Sequence, residues 1–151
     1  MKLTEALQLA NQLLRQHGLE NVPIVLDNAK TRHGVCRYNR YCGGVKNIGL
    51  SRHYINLNEE SAIRNTILHE IAHALTPGHH HDRIWRRKAI EIGCTGERCT
   101  DAKSTPGRYQ ATCLCGEKFN IHRKTKHFNH YRCSKCKRPV EFVDTRAIAY
   151  A

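Results

Sequence analysis

Nothing in these 151 residues is apolar for long enough to span a bilayer as a helix, which takes about twenty consecutive residues. The first six, Met1-Lys2-Leu3-Thr4-Glu5-Ala6, lack the continuous apolar block of an export signal and place an acid early. These two absences predict a cytoplasmic protein with no membrane partner. Acidic side chains are scarce as well: 13 Asp and Glu stand against 25 Lys and Arg, a formal charge of +12. Residues 101–151 are the more lopsided, with 11 basic and 4 acidic side chains against 14 and 9 in residues 1–100. A surplus of this sign suits contact with a polyanion, most often nucleic acid, and by itself carries no sequence preference. Disulfides are not expected in a reducing compartment, so the eight cysteines read as metal ligands or buried thiols.

The length allows one core plus a small satellite. Leu3, Ala6, Leu7, Ala10, Leu13 and Leu14 recur at the spacing of an amphipathic helix, which ends near His17 with Gly18 as its stop. Val22-Pro23-Ile24-Val25-Leu26-Asp27 reads as a strand. Residues 31–38 and 45–50 read as two more around a Cys42-Gly43-Gly44 turn, together a small antiparallel sheet. Asn56 or Asn58 would cap a helix opening on Glu59 and Glu60, acids that suit the positive end of its dipole. Ile63, Ile67, Ile71 and Ala74 form its apolar stripe, and Pro77-Gly78 ends it. A further helix runs from Asp82 to about Ile92, with Gly93 as its stop. Residues 101–107 are polar, contain Ser104, Pro106 and Gly107, and read as a linker between a core of residues 1–100 and a unit of residues 108–151.

The helix after Glu60 carries His69-Glu70-Ile71-Ala72-His73, the pattern H-E-x-x-H. Residues four apart lie one above the other on a helix, so His69 and His73 can present two imidazole nitrogens to one ion. Zinc takes such nitrogens, and a catalytic zinc keeps one position open for water. Glu70 beside that water would serve as its general base. Thr66 shares their side of the helix, away from the isoleucine stripe. A third protein ligand is needed, and His79, His80 and His81, just past the Pro77-Gly78 turn, are the nearest downstream candidates.

Near the other end, Cys113-Leu114-Cys115-Gly116 and Cys133-Ser134-Lys135-Cys136 are two close pairs with seventeen residues between them. Four thiolates at this separation can surround a tetrahedral zinc with no open position, hence a structural ion. Strand-like stretches at 109–112, 118–122 and 140–143 frame them as a β zinc ribbon, of a size at which metal commonly holds the fold. Arg123, Lys124, Lys126, Arg132 and Lys135 interleave with Phe128 and Tyr131, a mixture suited to phosphate contact and base stacking. The alternative is a solvated charged face with Phe128 and Tyr131 packed on the ribbon. Cys36, Cys42, Cys94 and Cys99 read as buried thiols, or as a second thiolate site built from Cys94 and Cys99 with the earlier pair.

The run from His69 through His81 to Trp85 resembles the active-site region of SprT-like, or Spartan-related, zinc metalloproteases. In that family a bulky aromatic follows the third histidine by four residues, and Trp85 stands four after His81. The resemblance therefore implies His69, His73 and His81 as the catalytic zinc ligands and Glu70 as the catalytic base. Asp82 departs from a frequent Gly, and the loop from His73 to His81 is shorter than in many members. The resemblance extends to the N-terminal helix, to the sheet carrying His33-Gly34-Val35-Cys36, and to a ribbon whose first cysteine pair is equally tight. The implied fold is α+β: a small zincin-like core of N-terminal helix, short antiparallel sheet and two active-site helices, followed by the ribbon. Two zinc ions per chain are expected, one catalytic and one structural, the latter on Cys113, Cys115, Cys133 and Cys136.

What the resemblance implies about function is a zinc endopeptidase acting on DNA-associated or DNA-crosslinked protein, with DNA, single-stranded or crosslink-bearing, as a partner and a monomer favoured. Its setting would be the cytoplasm or nucleoid of a bacterium, or the host cytoplasm for a chain encoded by a bacterial virus. The rival reading from another class is a non-catalytic, regulatory nucleic-acid-binding zinc protein that retains a metallopeptidase fold.

Overall fold

The apolar spacing of the N-terminal stretch produces α1, Leu3–Gln16, which buries Ala6, Ala10, Leu13 and Leu14. The Glu5 carboxylate accepts the Lys2 N–H at 2.8 Å at its start, and Gly18 at φ +70° turns the chain away at its end. The protein is described from a computed structural model that covers residues 1–41, 43–98 and 102–148. Cys42, Cys99 and Asp101 lie outside those residues. The architecture is α+β, and the chain divides into two compact units, Met1–Thr105 and Pro106–Ala151.

In the first unit β1 (Ile24–Asp27), β2 (Gly34–Tyr38) and β3 (Val45–Ser51) form one sheet in the order β1-β3-β2. The expectation of antiparallel pairing holds for β2 with β3, whereas β1 pairs with β3 in parallel. The reason lies in burial. Strand β3 holds the sheet's most buried residues, Ile48 to Ser51, and takes the centre, slipping between β1 and β2 after its hairpin. Strand β2 is thereby left on an edge.

Residues 52–57 form a short helix, α2 (Arg52–Leu57), capped by the Ser51 hydroxyl, which accepts the Tyr54 N–H. The sequence pattern did not predict it. It also corrects the expected asparagine caps. Asn56 lies within α2, and Glu59 stands at the N-cap of α3 (Glu60–Leu75) without a capping side-chain bond. Asn58 is buried instead. Its amide donates to the Tyr54 and Lys103 carbonyls, and its side-chain oxygen accepts the Lys103 N–H at 2.8 Å. The 102–104 stretch, expected to be linker, is thus latched to the first unit.

Helix α3 packs Ile63, Ile67, Ile71 and Ala74 into the core, the two wholly buried isoleucines Ile67 and Ile71 contributing about 2 kcal/mol each. Helix α4, Arg83–Glu91, buries Trp85 and Ala89 against it and ends at Gly93, φ +88°. No helix among the described residues is long and apolar enough to cross a membrane.

The second unit is a three-stranded antiparallel sheet, β5-β4-β6, made of β4 (Tyr109–Thr112), β5 (Lys118–Ile121) and β6 (Val143–Asp144), with a 3-10 turn at Phe128–His130 and a closing turn of helix, α5 (Thr145–Ile148). Its buried apolar cluster is small: Ala111, Cys113, Cys133 and Val140, flanked by Phe119 and Phe142, with Tyr109 buried as well. Two of those four are cysteines.

Candidate functional site

Helical spacing stacks His69 and His73 on one side of α3, and the loop after α3 brings His81 over them. The Nε2 atoms of His73 and His81 lie 3.1 Å apart and those of His81 and His69 3.0 Å apart. The backbone of Glu97 favours a proton on the His69 ring and that of His79 a proton on the His73 ring, an arrangement that leaves the opposite ring nitrogens to face inward as lone pairs. Lone pairs that converge at such distances repel one another unless a cation sits among them. Nitrogens about 2.0–2.1 Å from a tetrahedral zinc stand roughly 3.3–3.4 Å apart, so the trio fits that ion with a small relaxation. Burial, with the neighbouring imidazoles, holds His69 and His73 down to about 4, which keeps them neutral, the form a metal requires, across the ordinary pH range.

Why His81 and not its neighbours follows from Asp82. The Asp82 Oδ1 accepts the Ile84 and Trp85 N–H groups to cap α4, and its Oδ2 accepts from His79 Nδ1 at 2.7 Å. His79 is therefore committed to the cap. His80 stays outside the converging trio. His81 adopts φ +59°, a left-handed conformation that costs a non-glycine residue about 1 kcal/mol and swings its ring onto α3. Trp85, four residues on, packs its indole against all three imidazoles, with ring centroids 4.6, 5.1 and 4.5 Å from those of His69, His73 and His81. Its Nε1 is buried and finds no partner among the described residues.

Glu70 is 6 % exposed. Its closest wall is Gly34 of β2: a Cβ there would come within 2.8 Å of the Glu70 Cγ and Oε1, so only glycine permits this approach. The Ser51 N–H to His33 carbonyl bond makes 33/51 a bonded pair, so the backbone groups of Gly34 and Cys36 point away from β3 to the open edge. The Glu70 carboxylate accepts the Cys36 N–H there. Burial pushes the Glu70 carboxyl up to about 7, against the pull of that hydrogen bond and of Arg32. Tyr38, also on β2, donates its hydroxyl to the His73 carbonyl at 2.5 Å, tying the edge strand to the ligand-bearing end of α3. Neither Tyr38 nor the Glu97 carbonyl carries a sequence signal, since one acts through a hydroxyl on a distant strand and the other through backbone.

Next to Glu70 a cavity of ≈ 400 Å³ opens, lined by residues of the first unit from Thr31 to Ser104 and reaching His69. His33, on its wall, stacks on Tyr54 with centroids 4.2 Å apart and bonds the Ser104 hydroxyl at 3.0 Å.

In the second unit the turns after β4 and before residue 139 bring Cys113, Cys115, Cys133 and Cys136 together, all four sulfurs within 4.8 Å of one another. Cys113 lies 3.4 Å from Cys136 and Cys115 3.6 Å from Cys133, sulfur to sulfur. Sulfurs about 2.3 Å from a tetrahedral zinc stand roughly 3.8 Å apart, so this set fits as well. The Arg138 N–H and the Cys113 thiol lower the Cys136 pKa, while the neighbouring sulfurs raise that of Cys113, so without an ion the cluster shares protons that a metal would displace.

Arg123, Lys124, Lys126, Arg132 and Lys135 are exposed. Phe128 and Tyr131 are half-buried instead. Phe128 packs on Tyr109 and Phe142, Tyr131 on Phe119 and Phe142, and the Lys124 Nζ sits 5.2 Å from the Phe128 ring centre. The aromatics form the ribbon's own small core, with cations laid over it. Of the remaining cysteines, Cys36 is half-buried and Cys94 buried, both as free thiols.

No curated protein matches the chain. The SprT-like family model matches residues 3–106, which takes in the sheet, the three histidines, Glu70 and Trp85. A metallopeptidase-like domain accounts for both the match and the geometry of the first unit, and the chain belongs to the SprT-like family.

Proposed function

We propose that the chain is a zinc-dependent endopeptidase that acts on DNA-associated or DNA-crosslinked proteins, its second unit contacting the nucleic acid. The observation that carries the catalytic part is Glu70: a buried carboxylate on the same helical turn as His69, and bordering, like His69, the cavity beside the histidine trio. His69, His73 and His81 would hold the zinc, and Cys113, Cys115, Cys133 and Cys136 a second, structural one. A zinc held by three imidazoles supplies a Lewis acid that brings a water's pKa toward neutrality and polarises a carbonyl.

Glu70 accepts the proton of the attacking water and delivers it to the leaving amine nitrogen. Burial raises the proton affinity of this carboxylate, which favours taking a proton from water. Strand β2 is an edge strand, and the backbone groups of Gly34, turned away from β3, lie beside this carboxylate as a template for an extended peptide to lie along. The DNA part rests on charge. The exposed cations Arg123, Lys124, Lys126, Arg132 and Lys135 give the second unit a surface suited to phosphates. Phe128 and Tyr131, packed as they are, would support that surface rather than stack on bases.

The test is cleavage of a DNA-bound protein by the wild type and by Glu70→Gln, with and without single-stranded DNA. The wild type should cut and the variant should fall by about 10²–10⁴-fold with its metal content unchanged. A wild type that cuts no such substrate under any of these conditions defeats the peptidase reading. Equal DNA affinity in a chain lacking residues 106–151 defeats the role of the second unit.

A further inference from the structure

Resting on the peptidase reading of this site, the cavity beside Glu70 has a chemistry of its own. It is walled by two cations, Arg32 and Arg98, by the side chains of Thr31, Thr66 and Ser104, and by the Asn65 amide, with Glu70 the only acid among the described residues that line it. Its ≈ 400 Å³ falls within the range of sites that enclose a small ligand.

Arg32 is anchored, its guanidinium gripping both oxygens of Asp27 at 3.1 and 2.6 Å. Arg37 bonds the same carboxylate at 3.1 Å. Two guanidinium groups thus share one acid, and that cluster keeps a net positive charge. Arg98 is exposed and makes no ion pair among the described residues. It lies near enough to the trio for its charge to lower the His81 pKa, behind burial as the main cause. His33 adds a neutral hydrogen-bonding edge, its ring nitrogen bonded to Ser104.

We propose that this cavity is a specificity pocket that receives an acidic side chain of the protein substrate, Asp or Glu, next to the bond that Glu70 helps to cleave. Arg98 is the cation that meets the substrate carboxylate, since Arg32 is already held by Asp27. The Thr66 hydroxyl is spent on the Tyr54 oxygen, so the Thr31 hydroxyl and the Asn65 side-chain N–H groups are the donors for the remaining carboxylate lone pairs, as a partly desolvated charge requires. A lysine in the same place would meet two guanidinium groups and is excluded by repulsion, so the pocket selects by rejection as well as by attraction.

The experiment uses the full-length zinc-loaded chain and peptides that carry Glu, Gln or Lys at each of the two positions flanking the cleaved bond, with the cut sites read by mass spectrometry. At one of the two positions the Glu peptide should exceed its isosteric Gln partner in kcat/KM by about tenfold, with Lys poorest. In Arg98→Ala the Glu-to-Gln ratio should fall toward one, and Arg98→Glu should reverse the order in favour of Lys. Because each ratio is taken within one protein, a change in overall activity does not enter it. Equal rates on Glu and Gln peptides at both positions, with hydrolysis intact, overturn the pocket and leave the peptidase reading standing. A Glu preference that survives in both Arg98 variants overturns the role of Arg98. Hydrolysis of no peptide, by a protein that also leaves a DNA-bound protein uncut with and without single-stranded DNA, overturns both readings together.

Discussion

The two clusters of metal-binding groups are built in opposite ways. In the first unit the three histidines lie on and over a helix that is already packed, with Ile63, Ile67 and Ile71 buried beneath it and backbone carbonyls of Glu97 and His79 holding two of the rings. In the second unit the cysteines are themselves half of a four-residue core. An ion added to the first finds a frame; an ion added to the second supplies one. The first arrangement offers three donors, as a site for chemistry would, whereas the second offers four, as a structural site would.

The sharpest way to break that comparison is to remove metal from both. Chelation, or Cys133→Ser, should unfold the second unit, because binding free energies of roughly 10–16 kcal/mol are what fold small zinc domains. Amide exchange in β4, β5 and β6 should become unprotected while α1 and α3 stay protected. Loss of protection in α3 at the same chelator concentration would show that the first unit also needs its ion to fold.

Next in size is the ligand set. His81→Ala should lower the bound metal by one equivalent and leave the metal-free first unit folded, as direct metal analysis and a thermal melt would read. Retention of both equivalents would return the third-ligand role to His79 or His80.

A pH series isolates the cost of keeping Glu70 buried. Its folded pKa, about 7, lies above the ordinary 4.5, so the folded metal-free protein holds a proton that the unfolded chain has released between those values. Stability from this group is full below 4.5 and is lost as the pH rises through 7. At about 1.4 kcal/mol per unit, Glu70→Gln should stabilise the metal-free first unit by up to about 3 kcal/mol at pH 8 and by nothing at pH 4. A variant no more stable than wild type at pH 8 would mean that the carboxylate is solvated in the metal-free state. The smallest effect belongs to His79→Ala, which loses one bond to the Asp82 cap and should cost about 1 kcal/mol or less with the metal count unchanged.

How much of this was legible beforehand depended on how local the cause was. Helix α1, the buried stripe of α3 and the four-cysteine cluster follow from spacing within a few residues, and the sequence carries spacing openly. The three-histidine set was legible once the His81-to-Trp85 interval was matched to the family pattern. The parallel β1–β3 pairing was not, because it depends on which strand claims the centre of the sheet, a contest settled by burial across the whole unit. Helix α2 was missed because Arg52 to Leu57 is too short for periodicity to show. Asn58 has the composition of a cap and was read as one, yet a latch to Lys103, forty-five residues away, took its side chain. The cationic pocket needed the loop around Arg98 to fold back beside Thr31 and Arg32, which no local pattern encodes. Phe128 and Tyr131 fit either base stacking or packing on the ribbon in the sequence, because pattern alone does not show how much of so small a unit's core its aromatics supply.

The cap at Asp82 also bears on how this site can vary over time. The histidine that joins the trio is set by counting backward from the start of α4, one residue before its capping aspartate, and not by counting forward from α3. Residues added or lost between Gly78 and His80 would change which histidine is left outside but not which one joins the trio. One residue inserted between His81 and Trp85 would turn the imidazole away from α3 or the indole away from the imidazoles. Length can drift on one side of His81 and is locked on the other, and a run of three histidines is what a drifting side would be expected to tolerate.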